Sequence, residues 1–237
     1  VLGTPVFNPK EAVFEFKKGP IFSNIVLVDE INRAPAKTQS ALFEVMEEKQ
    51  ISYDGTTYHM EFPFLVIATQ NPIEQEGTYK LPEAQLDRFL MKIIIQYPSF
   101  DDEILILDRF KNEVGKVHLD NVNPVITSDE IKHIQQQVKT IHVEKQMLEY
   151  ITKIVHETRN NRNVYLGGSP RASLALLRVS KIIAMMAGRD FVIPDDVQFI
   201  ASHILNHRII LTPEAEISGI TPNDVINQVI KDIEVPR

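Results

Sequence analysis

Two adjacent carboxylates, Asp29 and Glu30, close an apolar run, Ile25 to Val28, that has no polar alternation. A second apolar run, Phe64 to Thr69, stops at Gln70-Asn71-Pro72 and so leaves an amide at the same kind of place. Two arginines complete the set: Arg88 in Leu86-Asp87-Arg88-Phe89, and Arg171 just inside a helix start at Ser169-Pro170. Phosphoryl transfer uses these residue types, because its barrier falls mainly through positioning and electrostatics: an acid holds Mg²⁺, another group orients water, and cations stabilise the moving phosphate. Sequence spacing alone does not bring them together. Asp29-Glu30 can equally be a solvated strand end, and Arg88 an exposed ion pair with Asp87 or Glu83, worth roughly 0 to 1 kcal/mol. The helix dipole disfavours a cation in the first turn, so Arg171 is better explained if an anion binds near it; otherwise its long stem carries the charge clear of the dipole.

Other groupings carry less. His203 and His207 are four apart on a helical pattern, but there is no intervening glutamate motif and no third ligand, which argues against zinc. Asp195-Asp196 reads as a helix cap. Ser40, Ser128 and Ser173 lack the Gly-x-Ser-x-Gly setting of a nucleophile elbow. The chain has no cysteine, which excludes a disulfide framework, thiol catalysis and thiolate metal sites. A net charge of -7 argues against general nucleic-acid binding. No stretch approaches the ~18 to 20 apolar residues of a membrane span, and Val1 to Pro5 lacks the start of a secretory signal, so a cytoplasmic location is expected.

The elements that must position these groups alternate between strand and helix in the first part of the chain. Ile25–Val28 reads as a strand buried on both faces of a parallel sheet, whose carboxyl edge is where ligands bind in open α/β folds. Residues 3 to 20 read as a hairpin or extended arm. Ala34-Pro35 opens a helix with Ala41, Leu42, Val45 and Met46 on one stripe, and residues 50 to 60 form a second hairpin around Asp54-Gly55. After Phe64–Thr69 comes a loop over residues 73 to 82, a short helix carrying Asp87-Arg88-Phe89, and a third apolar strand, Ile93-Ile94-Ile95. Tyr97-Pro98-Ser99 marks a change of character, which divides the chain into residues 1–98 and 99–237. The second part is helical by period: segments at Ile104 to Leu107, Ile131 to Val138 and Met147 to Val155, then a helix capped by Ser169 with Leu174, Leu177 and Ile182 on one side. That helix ends near Gly188, and others begin near Pro194 and Pro222.

These strings resemble the MoxR family of AAA+ ATPases over nearly the whole chain. Asp29-Glu30-Ile31-Asn32-Arg33-Ala34-Pro35 is similar to the family's Walker B strand and the start of its next helix. Ala68-Thr69-Gln70-Asn71-Pro72 is similar to sensor 1, Leu81 to Phe89 to the arginine-finger segment, and Gly168-Ser169-Pro170-Arg171-Ala172 to sensor 2. The resemblance implies an α/β AAA+ parallel-sheet core followed by an all-α lid. It implies ATP and Mg²⁺ as cofactors, with Asp29 acting on the metal, Glu30 activating water and Asn71 positioning it. Arg88 would reach a neighbouring subunit's nucleotide, and Arg171 would contact phosphate from the lid. An oligomeric ring, a hexamer by family expectation, would remodel or help assemble protein clients, among them a protein with a von Willebrand factor A domain.

The pattern departs from the family in one respect. There is no Gly-x-x-x-x-Gly-Lys-Ser/Thr, and the one Gly-Lys pair, Gly115-Lys116, has Phe110 where the first glycine belongs. The expectation is therefore an incomplete core, with the native protein extending upstream by at least one or two strand-helix units of ~15 to 30 residues each. Two rivals stand beside the ATPase: a non-hydrolysing interaction module that lacks the phosphate-binding loop, and a nucleic-acid motor of the related helicase clade. The absence of Arg and Lys from Gln50 to His59 weighs against the motor.

Overall fold

The computed structural model describes residues 2–53, 55–71, 81–111 and 122–236. Asp54 of the second hairpin turn, most of the loop predicted over residues 73 to 82, and Gly115-Lys116 lie outside them. The chain opens with an antiparallel hairpin, β1 (Gly3–Asn8) and β2 (Val13–Lys18), as its alternation predicts. Phe16 of β2 stacks on Tyr53 at 4.7 Å between centroids and lies 5.0 Å from Tyr58. These rings belong to the second hairpin, β4 (Gln50–Tyr53) and β5 (Thr56–His59), so aromatic contacts hold the two arms together.

A separate two-stranded pair carries the acids. β3 (Ile25–Val28) pairs in parallel with β6 (Leu65–Ala68), Val28 opposite Ala68, so both strands end at the same edge. Helix α1 (Ala36–Glu48) packs over one face. Val26, Leu42, Phe43 and Val45 are buried there with Ile21, Ile31, Ile51 and Leu81. The expected burial of β3 on both faces is not found: Ile25 and Leu27, with Leu65 and Ile67 opposite them, are exposed. Side chains alternate across a strand, and α1 covers one side only.

Ile93 to Ile95 is also corrected. It forms no strand and is exposed among the described residues. A β-branched run becomes a strand only where a neighbour supplies its ladder hydrogen bonds, and neither β3 nor β6 does so.

The later part has its own core. Helix α5 (Lys145–Asn160) buries Met147, Tyr150, Ile151, Ile154 and Val155, the expected stripe. Helix α6 (Pro170–Met186) begins as predicted, with Ser169 Oγ accepting from Arg171 N and Pro170 at the first position. Its buried side differs from expectation. Ala172, Ala175, Leu176, Val179 and Ala184 face the core and Leu177 packs against it half-buried, whereas Leu174 and Ile182 are exposed. Small alanines let α6 approach α7 (Pro194–Leu205), whose Ala201 is fully buried, so close packing outweighs side-chain size in choosing the face. Asp196 accepts from Ile193 N at the start of α7, the expected cap.

A short antiparallel ladder of β7 (Val164–Leu166) and β8 (Ile210–Leu211) interrupts the predicted all-helical lid. The small helix α8 (Pro213–Ile217) follows it, then α9 (Pro222–Asp232). Two further helices, α3 (Phe100–Phe110) and α4 (Ser128–Thr140), form where their periods predict but bury no residue. Capping accounts for their ends: Ser99 Oγ accepts from Asp102 N, and Thr127 and Glu130 form a reciprocal capping box.

Candidate active site

Glu30 follows β3 in the left-handed conformation, φ 48° and ψ 54°, which turns the chain sharply out of the strand. Non-glycine residues adopt this region seldom and at a cost, commonly where a side chain must be aimed. Three bonds to Thr69, the residue after β6 (Leu65–Ala68), hold the turn. Thr69 Oγ1 donates to Asp29 Oδ1 and accepts from Glu30 N at 2.9 Å, while Ile31 N donates to Thr69 O at 3.1 Å. One hydroxyl therefore binds the Asp29 carboxylate and pins the backbone from which Glu30 projects. The Glu30 carboxylate lies 3.0 Å from Arg33 Nε, and the Asp29 carboxylate is exposed. Asn71 is two residues past Thr69, half-buried at the same strand edge. Buried Gln39 donates to Ile31 O and Ala34 O, tying the turn to α1.

The two arginines lie elsewhere. Arg88 Nη1 is 3.0 Å from Glu47 Oε2 and donates to Phe43 O, and Arg171 Nη2 donates to Glu47 Oε1. A single carboxylate near the C-terminus of α1 thus receives both guanidinium groups. Neither Asp87 nor Glu83 is the partner that a local pairing of Arg88 would require. Glu47 is eleven residues beyond Ala36, about 16 Å along the helix axis at 1.5 Å per residue, so it holds both arginines near the end of α1 opposite the one that Gln39 ties to the turn after β3. Ser40, Phe43, Glu44, Glu47, Glu48, Gln85 and Arg88 line a cavity of about 290 Å³ there.

Behind Arg88 the later helices grip the chain. α2 (Glu83–Leu86) ends just before Asp87, whose Oδ2 accepts from Ser169 Oγ at 2.7 Å and whose Oδ1 accepts from Arg208 Nε at 2.8 Å. Burial pulls the Arg208 pKa down, and the hydrogen bond and charge of Asp87 oppose that pull. Beside it His207 Nε2 lies 3.2 Å from Phe89 O, while its Nδ1 is buried with no hydrogen-bond partner. Burial, reinforced by the Arg208 charge, pushes the His207 pKa down to about 4, so the ring is neutral at pH 7 and can donate to that carbonyl.

The sequence-predicted residues therefore fall into two groups. Asp29, Glu30 and Asn71 share one edge, and Arg88 and Arg171 share another. Thr69, Glu47 and Arg208 were not singled out from sequence. A hydroxyl placed just before the predicted amide was the available signal for Thr69. Glu47 and Arg208 gave none, since their roles arise from residues 41 and 121 positions distant.

Comparison with known proteins gives a consistent assignment. Residues 1–91 match a family described as ATPases associated with various cellular activities (AAA), and residues 156–229 match an AAA lid domain. Over its full length the chain is 44% identical to protein YeaC of Bacillus subtilis (strain 168), spanning 73% of that protein. It is 39% identical to chaperone MoxR1 of Mycobacterium tuberculosis, spanning 64% of that one. A crystal structure of a candidate ATPase from Cytophaga hutchinsonii superposes with a TM-score of 0.89 at 40% identity, covering all of this chain and 73% of that one.

Proposed function

This chain belongs to the MoxR family of AAA+ ATPases, and we propose that the protein it represents binds and hydrolyses ATP in an oligomeric, hexameric ring. In the cytoplasm that ring remodels or helps assemble protein partners, among them a protein with a von Willebrand factor A domain. The observation that carries this reading is the Asp29–Thr69–Glu30 tether at the joined ends of β3 and β6. It supplies two differently placed acids at the strand edge where α/β folds bind ligands.

An exposed carboxylate beside a hydroxyl is the kind of oxygen donor set Mg²⁺ takes when phosphates complete its shell, so Asp29 is the residue that would hold it. When bound, the metal would supply charge neutralisation on the phosphate oxygens. Glu30, aimed by its left-handed turn, accepts the proton of the attacking water, and Asn71 orients that water. The uncovered apolar face of Ile25, Leu27, Leu65 and Ile67 supports a further layer over the sheet in a longer protein, as the greater length of the relatives allows.

The separation of the arginines supports a division of labour. Arg88 and Arg171 are held by Glu47 near the end of α1 opposite the Glu30 turn, a placement that favours a phosphate other than the one Glu30 serves. Both are assigned to the nucleotide of the adjacent subunit, Arg88 as finger and Arg171 beside it. The full-length protein tests this. Glu30→Gln should bind ATP and lose turnover; unchanged turnover removes Glu30 from the mechanism. Arg88→Ala should reduce turnover to a measurable residue, and mixing the two variants should restore part of it, since one interface then combines an intact Glu30 with an intact Arg88. Full activity of unmixed Arg88→Ala refutes the shared site.

A further inference from the structure

Arg208 sits at the end of the α7 region, and its side chain is only 3% exposed. Its guanidinium makes five hydrogen bonds: Nε to Asp87 Oδ1 at 2.8 Å, Nη2 to Asp87 O at 3.1 Å and to Phe89 O at 2.6 Å, Nη1 to Leu90 O at 3.2 Å, and Nη1 to Ile204 O. A guanidinium has five N–H donors, so this one is fully used. Four of the five acceptors belong to residues 87 to 90, which bracket Arg88. Stability alone does not call for such a group, because well-packed apolar side chains often replace a buried ion pair without loss. Arginine is needed where several acceptors must be fixed in one geometry, which lysine's compact ammonium cannot do.

We infer that Arg208 is a positioning residue for Arg88, the lid side chain that fixes the backbone of the finger segment and so aims the finger at the neighbouring subunit. This rests on the reading of Arg88 given above. The Arg88 side chain contacts the Glu47 carboxylate and Phe43 O. Its backbone N–H donates to Gln85 O at 3.1 Å within the same segment, while the contacts that tie the segment to the later helices are the Arg208 cluster, Ser169 Oγ on Asp87, and Lys92 N donating to His203 O at 2.8 Å. A displacement of the lid is therefore transmitted to the finger.

The test is a double-mutant cycle on ATP turnover in the full-length ring. Arg208→Lys keeps the charge and loses most of the fork. It should lower kcat by about 10- to 100-fold, the cost of an ångström-scale misplacement. KM for ATP should stay within about twofold, since the acids lie at the other end of α1. In an Arg88→Ala background the same substitution should cost nothing further, because the group it positions is gone. An equal fractional loss in both backgrounds, or an unchanged kcat in Arg208→Lys alone, overturns the proposal. Should Arg208→Lys not fold, Asp87→Asn is read in the same cycle: it keeps an acceptor for Arg208 Nε and removes the charge, and its loss must likewise vanish without Arg88. If Arg88→Ala alone retains full turnover, the finger assignment fails, an outcome distinct from failure of the Arg208 proposal.

Discussion

Thr69→Val is the substitution that isolates the orientation of the acids from their identity. Valine keeps the shape of threonine and removes the hydroxyl that donates to Asp29 Oδ1 and accepts from Glu30 N. A bond to a charged group is worth about 1.5–3 kcal/mol and a neutral one about 0.5–1.5 kcal/mol. Thr69 is half-buried and Asp29 exposed, so water replaces much of both, and the net loss of stability should be about 1 kcal/mol. In a chain of this size that lowers Tm by about 2–4 °C. The catalytic cost should be larger, because the Asp29 carboxylate and the Glu30 backbone lose their common anchor: about 10- to 100-fold in kcat. Steady-state ATP turnover of the full-length protein measures it, with equilibrium nucleotide binding as the control for an intact site. Thr69→Ser, which keeps the hydroxyl, should recover most of the rate. Wild-type turnover in Thr69→Val, or a serine variant as slow as the valine one, would refute the role given to this hydroxyl.

Two further predictions concern stability. His207 has its pKa depressed from 6.5 to about 4 in the fold, so the unfolded chain takes up a proton at a higher pH than the folded one does. Stability is complete above pH 6.5 and declines as pH falls towards 4, by about 2 kcal/mol between pH 7 and 4.5. Urea unfolding of wild type and His207→Gln at both pH values should show this extra loss in wild type only, and parallel losses would contradict it. Gly167→Ala should destabilise the lid by about 1–3 kcal/mol, since its new Cβ would meet the Thr158 and Arg159 backbone at 2.7 Å. Thermal unfolding unchanged from wild type would show that this backbone yields.

Much of the local structure was legible from the residues. The arm around Val13-Phe14-Glu15-Phe16, the Ser169-Pro170 helix start and the α5 stripe of Met147, Ile151, Ile154 and Val155 depend on neighbours within a few positions, and sequence records those directly. Failures came where a distant segment decides. Ile93 to Ile95 has the composition of a strand but no adjacent ladder, and Ile25 and Leu27 stay exposed because α1 covers only one face. In α6 the buried side is set by how closely α7 approaches, so Ala172, Ala175 and Ala184 join Leu176 and Val179 on the core-facing stripe while Leu174 and Ile182 stay outside it.

The candidate site divides the same way. Sequence by itself determined that Asp29-Glu30 and Asn71 end two apolar strands, because strand period and composition are local properties. It also determined that Arg171 opens a helix. Only the tertiary structure decided how these groups are arranged. Parallel pairing of β3 with β6 brings Thr69 against both acids, and the length of α1 carries Glu47, and with it Arg88 and Arg171, to the far end. Arg208 reaches Asp87 across 121 residues. A hydrogen bond depends on distance in space, and chain position fixes that distance only within a turn or two of one element.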